Sequence, residues 1–271
     1  MPNQPDNTAN KVESPILFMG DTALDGAASY LAGMITLKGW SFEYIPSDQF
    51  PSLRQLEASR SLFILSDFMS RQLDEKAQRT ILGQVDNGSG LLMLGGWESF
   101  CGMGGDWAGT PIASALPVEI SAKDDRINFD QVALLSSLEP DHPILNGLPW
   151  DDCPPAIGGF NRFAAKPSSQ TLVEVVRHEV SRQKGNFVLK KADTDPLLVT
   201  GKFGTGRTAA LATDLAPHWV GPLVDWGTQN SPNPSGGGRV RGHAEGAEEV
   251  EVGIHYARFV QQLLAWTGNL E

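Results

Sequence analysis

The chain has 271 residues, 41% of them hydrophobic, which is enough to bury one large core in a single elaborated domain. Its 32 acidic and 21 basic residues give a formal net charge of -11, so the overall field repels nucleic-acid phosphates and anionic membrane surfaces. The 2 cysteines are too few for a disulfide framework, and no apolar stretch approaches the roughly 20 residues of a membrane helix. We therefore expect neither nucleic acid nor membrane as a partner, and we expect a cytoplasmic location.

The first half of the chain predicts alternating strands and helices. A polar run without an apolar leader predicts a flexible tail at residues 1–14, followed by a single domain at residues 15–271. Short apolar runs and helical spacing then predict a strand at 15–20, a helix at 23–38, strands at 41–46 and 61–66, a helix at 73–85 and a strand at 91–95. This alternation is typical of an α/β fold, with a doubly wound, mostly parallel sheet and helices on both faces.

The second half is richer in strands. Polar turns separate predicted strands at 130–138, 171–177, 187–191, 197–202 and 207–213, which favours an antiparallel extension of the sheet. The glycines of Phe203-Gly204-Thr205-Gly206-Arg207 predict a hairpin turn, and helical spacing predicts a last helix at 252–266. The Pro/Gly-rich segment at 227–247 is too long for an ordinary connection and is either a lid over the site or a disordered loop.

A candidate site follows from the rule that open parallel sheets bind ligands outside the carboxyl ends of their strands. The first and third strands carry aspartates to that edge, and the fourth carries a Gly-rich turn whose backbone amides can bind an anionic or carbonyl oxygen. For each residue alone, a helix cap or a tight turn is an equally good explanation. The candidate ligand-binding residues are Asp21, Asp67, Gly95, Gly96, Trp97, Glu98, Ser99 and Asp214.

Four groups of short motifs follow one another along the chain. They are Gly88-x-Gly90-Leu91-Leu92-Met93-Leu94-Gly95-Gly96-Trp97-x-Ser99-Phe100, Thr110-Pro111-Ile112 with Leu116-Pro117-Val118, His142-Pro143-Ile144 with Gly147-Leu148-Pro149, and Gly204-x-Gly206-Arg207 before Thr213-Asp214. In this order the chain resembles the class I glutamine amidotransferase-like fold and, within it, the putative glutamine amidotransferase family, over residues 16–266. The resemblance implies a flavodoxin-like sheet. It also implies, for active members, a Cys on a Gly-x-Cys-x-Gly elbow with a His and a Glu two residues apart.

The chain departs from that catalytic pattern. The corresponding elbow is Gly95-Gly96-Trp97-Glu98-Ser99, so Trp97 or Glu98 stands where the thiol is needed, and His218 has no Glu at the expected offset. An indole cannot attack an amide carbonyl as a thiolate does. We therefore expect a protein of this fold without the usual glutaminase activity.

Two cysteines and five histidines leave one catalytic alternative. Cys101, among glycines, is a candidate displaced nucleophile with His218 as its base, although an unreactive, partly buried thiol is the favoured interpretation. Cys153 is expected to be a loop residue. Because the histidines are scattered without a metal-binding spacing, neither a metal site nor a cofactor is expected.

Four tryptophans are predicted near the same edge. Trp97, Trp107, Trp219 and Trp226 either provide flat surfaces for a sugar, fill the space between sheet and loops, or form a docking surface. The leading hypothesis is a small polar, sugar-related ligand bound at this edge. The alternatives are a Cys101-dependent hydrolase or amidotransferase, and a non-catalytic assembly protein that forms a homo-oligomer.

Overall fold

The structure is a computed structural model that describes residues 15–131, 133–228 and 238–271. The tail expected at residues 1–14 lies outside the described residues, and so do residues 229–237 of the Pro/Gly-rich segment. Within the described part of the chain, none of the helices combines the length and the apolarity needed to cross a bilayer.

Strands and helices alternate through the first half, at β1 (Ile16–Gly20), α1 (Ala28–Leu37), β2 (Phe42–Ile45), α2 (Leu53–Glu57), β3 (Leu62–Ser66), α3 (Glu75–Asp86) and β4 (Gly90–Leu94). Every residue of β1, β3 and β4 is buried, which explains why these segments are continuous apolar runs. The first helix begins five residues later than its sequence predicts, because residues 24–27 form a turn instead. The short helix α2, which the sequence pattern missed, begins at a capping box formed by Ser52 and Gln55.

The second half contains most of the described strands and two helices. In chain order these elements are α4 (Pro111–Ala115), β5 (Val118–Glu119), β6 (Arg126–Asn128), β7 (Ala133–Ser137), β8 (Gly159–Asn161), β9 (Ala164–Ala165), β10 (Gln170–Gln183), β11 (Asn186–Phe203), β12 (Gly206–Leu211), β13 (Arg239–Gly242), β14 (Val250–Gly253) and α5 (Ile254–Gly268). The strands predicted separately at 187–191 and 197–202 are one long strand, β11. The last helix starts at Ile254 rather than Val252, because Val252 and Gly253 belong to β14.

One eight-stranded sheet organises the chain, in the order β2-β1-β3-β4-β12-β11-β10-β7. The pairs from β2 to β12 are parallel, whereas β12–β11, β11–β10 and β10–β7 are antiparallel. The expected mixed α/β fold is confirmed. β12 joins the two parts, and its hairpin with β11 turns at Gly204, whose φ of 57° favours glycine. Helices α1 and α5 contact each other, while α3 contacts α2 and α4.

Part of the Pro/Gly-rich segment is a strand. β13 pairs antiparallel with β14 from Arg239↔Gly253 to Gly242↔Val250, and it packs on α1. Residues 239–242 therefore form sheet structure, which neither the lid nor the disordered-loop interpretation includes.

Candidate functional site

Three aspartates meet at the carboxyl edge of the parallel strands. Asp21 follows β1, Asp67 follows β3, and Asp214 lies three residues after β12. Because these strands run parallel, their carboxyl ends lie at one edge of the sheet. Asp67 and Asp214 line a cavity of about 560 Å³, and Asp21 is buried beside them, close enough for its pKa to respond to both.

The backbone turns sharply at two of these aspartates. Asp21 has a φ of 48° and Asp67 a φ of 45°, a left-handed conformation that aspartate tolerates better than most residues. The amide of Asp21 donates to the Ser66 carbonyl oxygen at 2.8 Å, and the chains are so close that a Cβ on Gly20 would lie 1.5 Å from this oxygen. The aspartates are therefore held by the ends of the strands themselves.

The Gly-rich loop after β4 packs directly on Asp67. A Cβ on Gly96 would lie 1.9 Å from Oδ1 of Asp67, so only glycine fits there. Oδ1 of Asp67 accepts a hydrogen bond from the Glu98 amide at 2.8 Å, and the Asp67 amide donates to Oγ of buried Ser99 at 3.0 Å. A Cβ on Gly95 would lie 2.0 Å from the Ala212 carbonyl oxygen, which places the start of the loop against β12.

The backbone amides of this loop are already engaged by protein groups. Besides the Glu98 amide, the Gly96 amide donates to Oδ1 of Asn161 at 2.9 Å, and the Gly95 amide donates to the Leu211 carbonyl oxygen at 2.7 Å. The amides of Gly95, Gly96 and Glu98, which the sequence predicts as donors to an anionic oxygen, thus already donate to acceptors within the protein. The loop contributes side chains to the cavity instead, since Trp97 lines it.

Burial raises the pKa of all three aspartates, and a neighbouring carboxylate raises each pKa further: Glu98 for Asp67, Asp67 for Asp214, and both Asp214 and Asp67 for Asp21. Burial is the largest cause at each: it raises the pKa of Asp67 to about 6, and burial with the Asp67 charge raises that of Asp214 to about 7. The pKa of Asp21 is raised well above its ordinary value by burial, then by Asp214 and Asp67. Near neutral pH this edge therefore holds protons, and its carboxyl groups can both donate and accept hydrogen bonds.

Two tyrosine hydroxyls donate hydrogen bonds to backbone carbonyl oxygens beside the three aspartates. The Tyr44 hydroxyl donates to the Asp21 carbonyl oxygen at 2.7 Å, and that of buried Tyr256 donates to the Leu215 carbonyl oxygen at 2.6 Å. Burial raises the pKa of both tyrosines, and nearby aspartates raise it further. Both are therefore neutral donors at physiological pH.

Aromatic and acidic side chains form the remaining wall of the cavity. The Trp97 ring meets the His218 ring edge-on at 5.3 Å between centroids, and the Arg126 guanidinium lies 5.0 Å from the Trp97 centroid. Sequence reasoning missed several other lining residues, on the first turns of α1 and just before β14. These are Ser29, Tyr30, Glu248 and Glu249. Ser29 and Tyr30 could have been expected at the site, because α1 follows the carboxyl end of β1. No sequence signal marks Glu248 and Glu249.

The other tryptophans near this edge serve packing. The indole nitrogens donate from Trp107 to the Phe68 carbonyl oxygen at 2.8 Å, from Trp219 to Oδ1 of Asn128 at 2.7 Å, and from Trp226 to the Cys153 carbonyl oxygen at 2.7 Å. All three rings are buried. The packing interpretation therefore describes these three, and only Trp97 of the four contributes to the lining of the cavity.

Cys101 lies in acidic surroundings. Its amide donates to Oδ2 of Asp125 at 2.8 Å, and its pKa is raised by burial first and then by Asp125, Asp106 and Asp124. Among the described residues, those lining the cavity include His218 but not Cys101. The two candidate catalytic residues are thus not brought together by this cavity, and negative neighbours disfavour the thiolate that a nucleophile requires.

The described residues contain no group of three or more His, Cys, Asp or Glu side chains arranged to hold a metal ion. Two of the three converging aspartates accept hydrogen bonds from backbone amides, Asp67 from Glu98 at 2.8 Å and Asp214 from Ala216 at 2.9 Å.

Comparison with known proteins identifies the family. Residues 53–231 match the family model described as "Putative glutamine amidotransferase", which covers more than half of the chain. The chain belongs to this family. None of the curated proteins compared with it gives a significant match.

Two solved structures from Salmonella have the same overall fold as this family member. Cytoplasmic Protein STM3548 from Salmonella typhimurium is similar with a TM-score of 0.65 and 23% identity, covering 93% of this chain and 98% of its own. Cytoplasmic Protein STM1381 from Salmonella typhimurium LT2 gives a TM-score of 0.67 and 24% identity, with the same coverage of 93% and 98%. At these identities the similarity establishes the fold and carries no function across.

Proposed function

We propose that this glutamine amidotransferase-like protein binds a small polar, sugar-related ligand in the cavity at the carboxyl edge and has no glutaminase activity. The observation that carries the proposal is the position of Trp97. On the loop where active relatives would hold a thiol, its indole lies against His218 and lines the same cavity as Asp67 and Asp214.

The lining of the cavity suits a polyhydroxylated ligand. Carboxyl groups with pKa values of about 6 and about 7 accept hydrogen bonds from hydroxyls when ionised and donate to them when protonated. The rings of Trp97 and Tyr30 supply apolar surface for the carbon face of a sugar. A volume of about 560 Å³ lies within the range of small-molecule sites, which runs from about 300 to 1,000 Å³.

The geometry of the loop argues against glutamine hydrolysis. A nucleophilic thiol requires an adjacent base and an oxyanion site of free amides. Here His218 contacts an indole, and the amides of Gly96 and Glu98 already donate to Asn161 and Asp67. Irregular turns, rather than a helix, follow Gly96 up to α4. These features support loss of the reaction in this chain.

A thermal-shift screen followed by calorimetry tests ligand binding. Neutral hexoses, uronic acids, amino sugars, amino acids and nucleotides are screened, and we expect one sugar class to raise the melting temperature in a concentration-dependent manner. Trp97→Ala and Asp214→Asn should each weaken its binding about 10-fold or more, which corresponds to roughly 1.4 kcal/mol. Asp141→Asn, at an exposed position outside the cavity, is the matched control. Stabilisation that survives both cavity variants would place the ligand elsewhere.

Ammonia release from glutamine tests the absence of glutaminase activity. We expect no release above that of the Cys101→Ser variant. Turnover by the unaltered chain that is lost in both Cys101→Ser and His218→Ala would instead establish the Cys101-dependent hydrolase.

Two further features belong to the proposal. A flavodoxin-like arrangement with helices on both faces is supported by the separate packing groups of α1 with α5 and of α3 with α2 and α4. A cytoplasmic location is supported by the description of the two Salmonella proteins and by the absence of a disulfide at Cys101 and Cys153.

A further inference from the structure

The outer part of the β10–β11 hairpin extends beyond the sheet as an isolated two-stranded ribbon. β7 pairs with β10 only at residues 173–177, and β12 pairs with β11 only at residues 198–203. Between these limits, β10 and β11 pair with each other as far as the turn at Lys184-Gly185. We call residues 178–194 the ribbon. All of its residues from 179 to 194 are exposed.

Three of the four large apolar side chains of the ribbon lie on one of its faces. In the antiparallel register, Val180 lies opposite Leu189 and Arg182 opposite Phe187, and residues opposite each other share a face. Val180, Leu189 and Phe187 thus form a continuous apolar strip on one face, with Phe187 73% exposed. On the other face, Val188 lies between polar neighbours, opposite Ser181.

Such a ribbon needs a covering surface. Two-stranded hairpins are marginally stable in water, and a contiguous exposed apolar strip is typical of an interaction site. At the base of the ribbon, ion pairs from Arg177 to Asp193 and Asp195, at 3.1 and 3.3 Å, link β10 to β11, and Asp195 also pairs with Arg162 at 3.1 Å. Nothing among the described residues packs over Phe187 itself, which is the most exposed of the large apolar side chains.

A groove at the base of the ribbon provides a complementary surface. It measures about 720 Å³ and is lined by apolar side chains together with two polar ones: Ala133, Ala156, Ile157, Val180 and Pro222, with Asp130 and Gln131. Val180 belongs both to the groove and to the apolar strip. Phe187 lies two residues from Leu189 on the same face, about 7 Å further along the strand towards the turn.

The charges favour a second copy of the chain as the occupant. The ribbon carries Arg182, Lys184, Lys190 and Lys191 against Glu179 and Asp193, whereas the whole chain has a net charge of -11. A basic arm on an acidic protein is attracted to another copy of that protein. Arg182 lies opposite Phe187 on the ribbon, and Asp130 lines the groove, so an acid and a base lie beside the two apolar surfaces.

We propose that two copies of this chain form a two-fold symmetric dimer by exchanging ribbons. Phe187 of each copy enters the Ala156–Ile157–Pro222 groove of its partner, and Arg182 meets Asp130 across the interface. In a closed two-fold dimer the same ribbon-to-groove contact occurs twice, so each apolar strip and each groove is covered together. This interface is independent of the ligand-binding cavity.

Sedimentation analysis of the full chain tests the dimer. Over a hundredfold range of micromolar concentrations, we expect a mass twice the 29.2 kDa of one chain, giving way to monomer only on dilution. A monomer at every concentration, or a trimer or larger assembly, would overturn the proposal.

Two matched variants test which face of the ribbon is used. Phe187→Ser should raise the dimer dissociation constant about 10-fold or more, because it removes a central aromatic contact. Val188→Ser, on the opposite face of the same strand, should change it less than about threefold. Both side chains are exposed, and circular dichroism checks that both variants fold. Equal weakening by the two variants would refute the assigned face.

A charge exchange tests the groove. Arg182→Glu and Asp130→Arg should each weaken the dimer, and the double variant should recover most of the lost affinity, because the pair is restored with reversed signs. If the double variant is as weak as the two single changes combined, Arg182 does not meet Asp130 and the groove assignment is wrong.

Discussion

The carboxyl edge of the parallel strands buries acidic side chains, whereas the ribbon exposes apolar ones. At the edge, Asp21 and Asp214 are 5% and 6% exposed, whereas in the ribbon the large apolar Phe187 is 73% exposed. Burying a carboxylate and exposing a large apolar side chain both cost free energy. In our proposals, protons or a ligand relieve the first cost, and a second copy of the chain relieves the other.

Glycine substitutions should give the largest difference in the free energy of unfolding between the carboxyl edge and the ribbon. Gly20→Ala would place a Cβ 1.5 Å from the Ser66 carbonyl oxygen at a φ of 134°, so we expect a loss of about 3 kcal/mol or more, or failure to fold. Gly185→Ala, at the ribbon turn, has a φ of 88° but nothing within 4 Å of the new Cβ, so we expect about 1 kcal/mol. Urea unfolding of both variants measures the difference. Similar losses would contradict the picture of a tightly packed edge and an open ribbon.

The pH dependence of stability tests the buried aspartates. The folded-state pKa values of about 6 for Asp67 and about 7 for Asp214 lie above the ordinary 3.8, so the folded state binds protons more tightly than the unfolded chain. The free energy of unfolding should therefore fall as the pH rises from about 4 to about 7, and level off above that. Denaturant unfolding at intervals across this range measures the slope.

Asp214→Asn should remove much of that slope. The amide oxygen can still accept the hydrogen bond that the Ala216 amide now donates to Oδ1 at 2.9 Å, but the side chain cannot ionise. We expect stabilisation on the order of 1–3 kcal/mol at pH 8 and little change at pH 4. Asp141→Asn, at an exposed position, should leave the slope unaltered. A steep slope that persists in Asp214→Asn would assign it to groups outside this edge.

Thiol reactivity should give the smallest effect. In a Cys153→Ser background, iodoacetamide should label Cys101 slowly at neutral pH, and the rate should rise only above about pH 8.5, because burial and Asp125 raise its pKa. The Cys101→Ser variant reports Cys153 alone and serves as the control. Rapid labelling of Cys101 at pH 6 would instead support the hypothesis that Cys101 is a catalytic nucleophile.

The sequence predicted the parallel part of the fold better than the rest. Continuous apolar runs marked β1, β3 and β4 because these strands are buried on both faces. The strands β5, β6, β8 and β9 were missed because they have only two or three residues, too few for a periodic pattern. The join between 187–191 and 197–202 was missed because the exposed residues between them pair only with β10.

Part of the candidate site was also predictable. Asp21, Asp67 and Asp214 were expected at the edge because they follow buried strands, and the structure places them there together. The engagement of the loop amides was not predictable, since it depends on Asn161, which is 65 positions further along the chain than Gly96. Neither Asn161 nor Asp125 stood out from its local sequence as a partner of this loop.

The loop that carries Trp97 depends on the side chain of one residue, Asn161. Its Oδ1 accepts from the Gly96 amide, while its Nδ2 donates at 2.7 Å to Asp125, which in turn holds the Cys101 amide. Only a side chain with an acceptor on one arm and a donor on the other can tie both ends of the loop in this way. A carboxylate in its place, as in Asn161→Asp, would remove the donor to Asp125 and set two acids face to face, so a single nitrogen atom decides whether this end of the Trp97 loop is held.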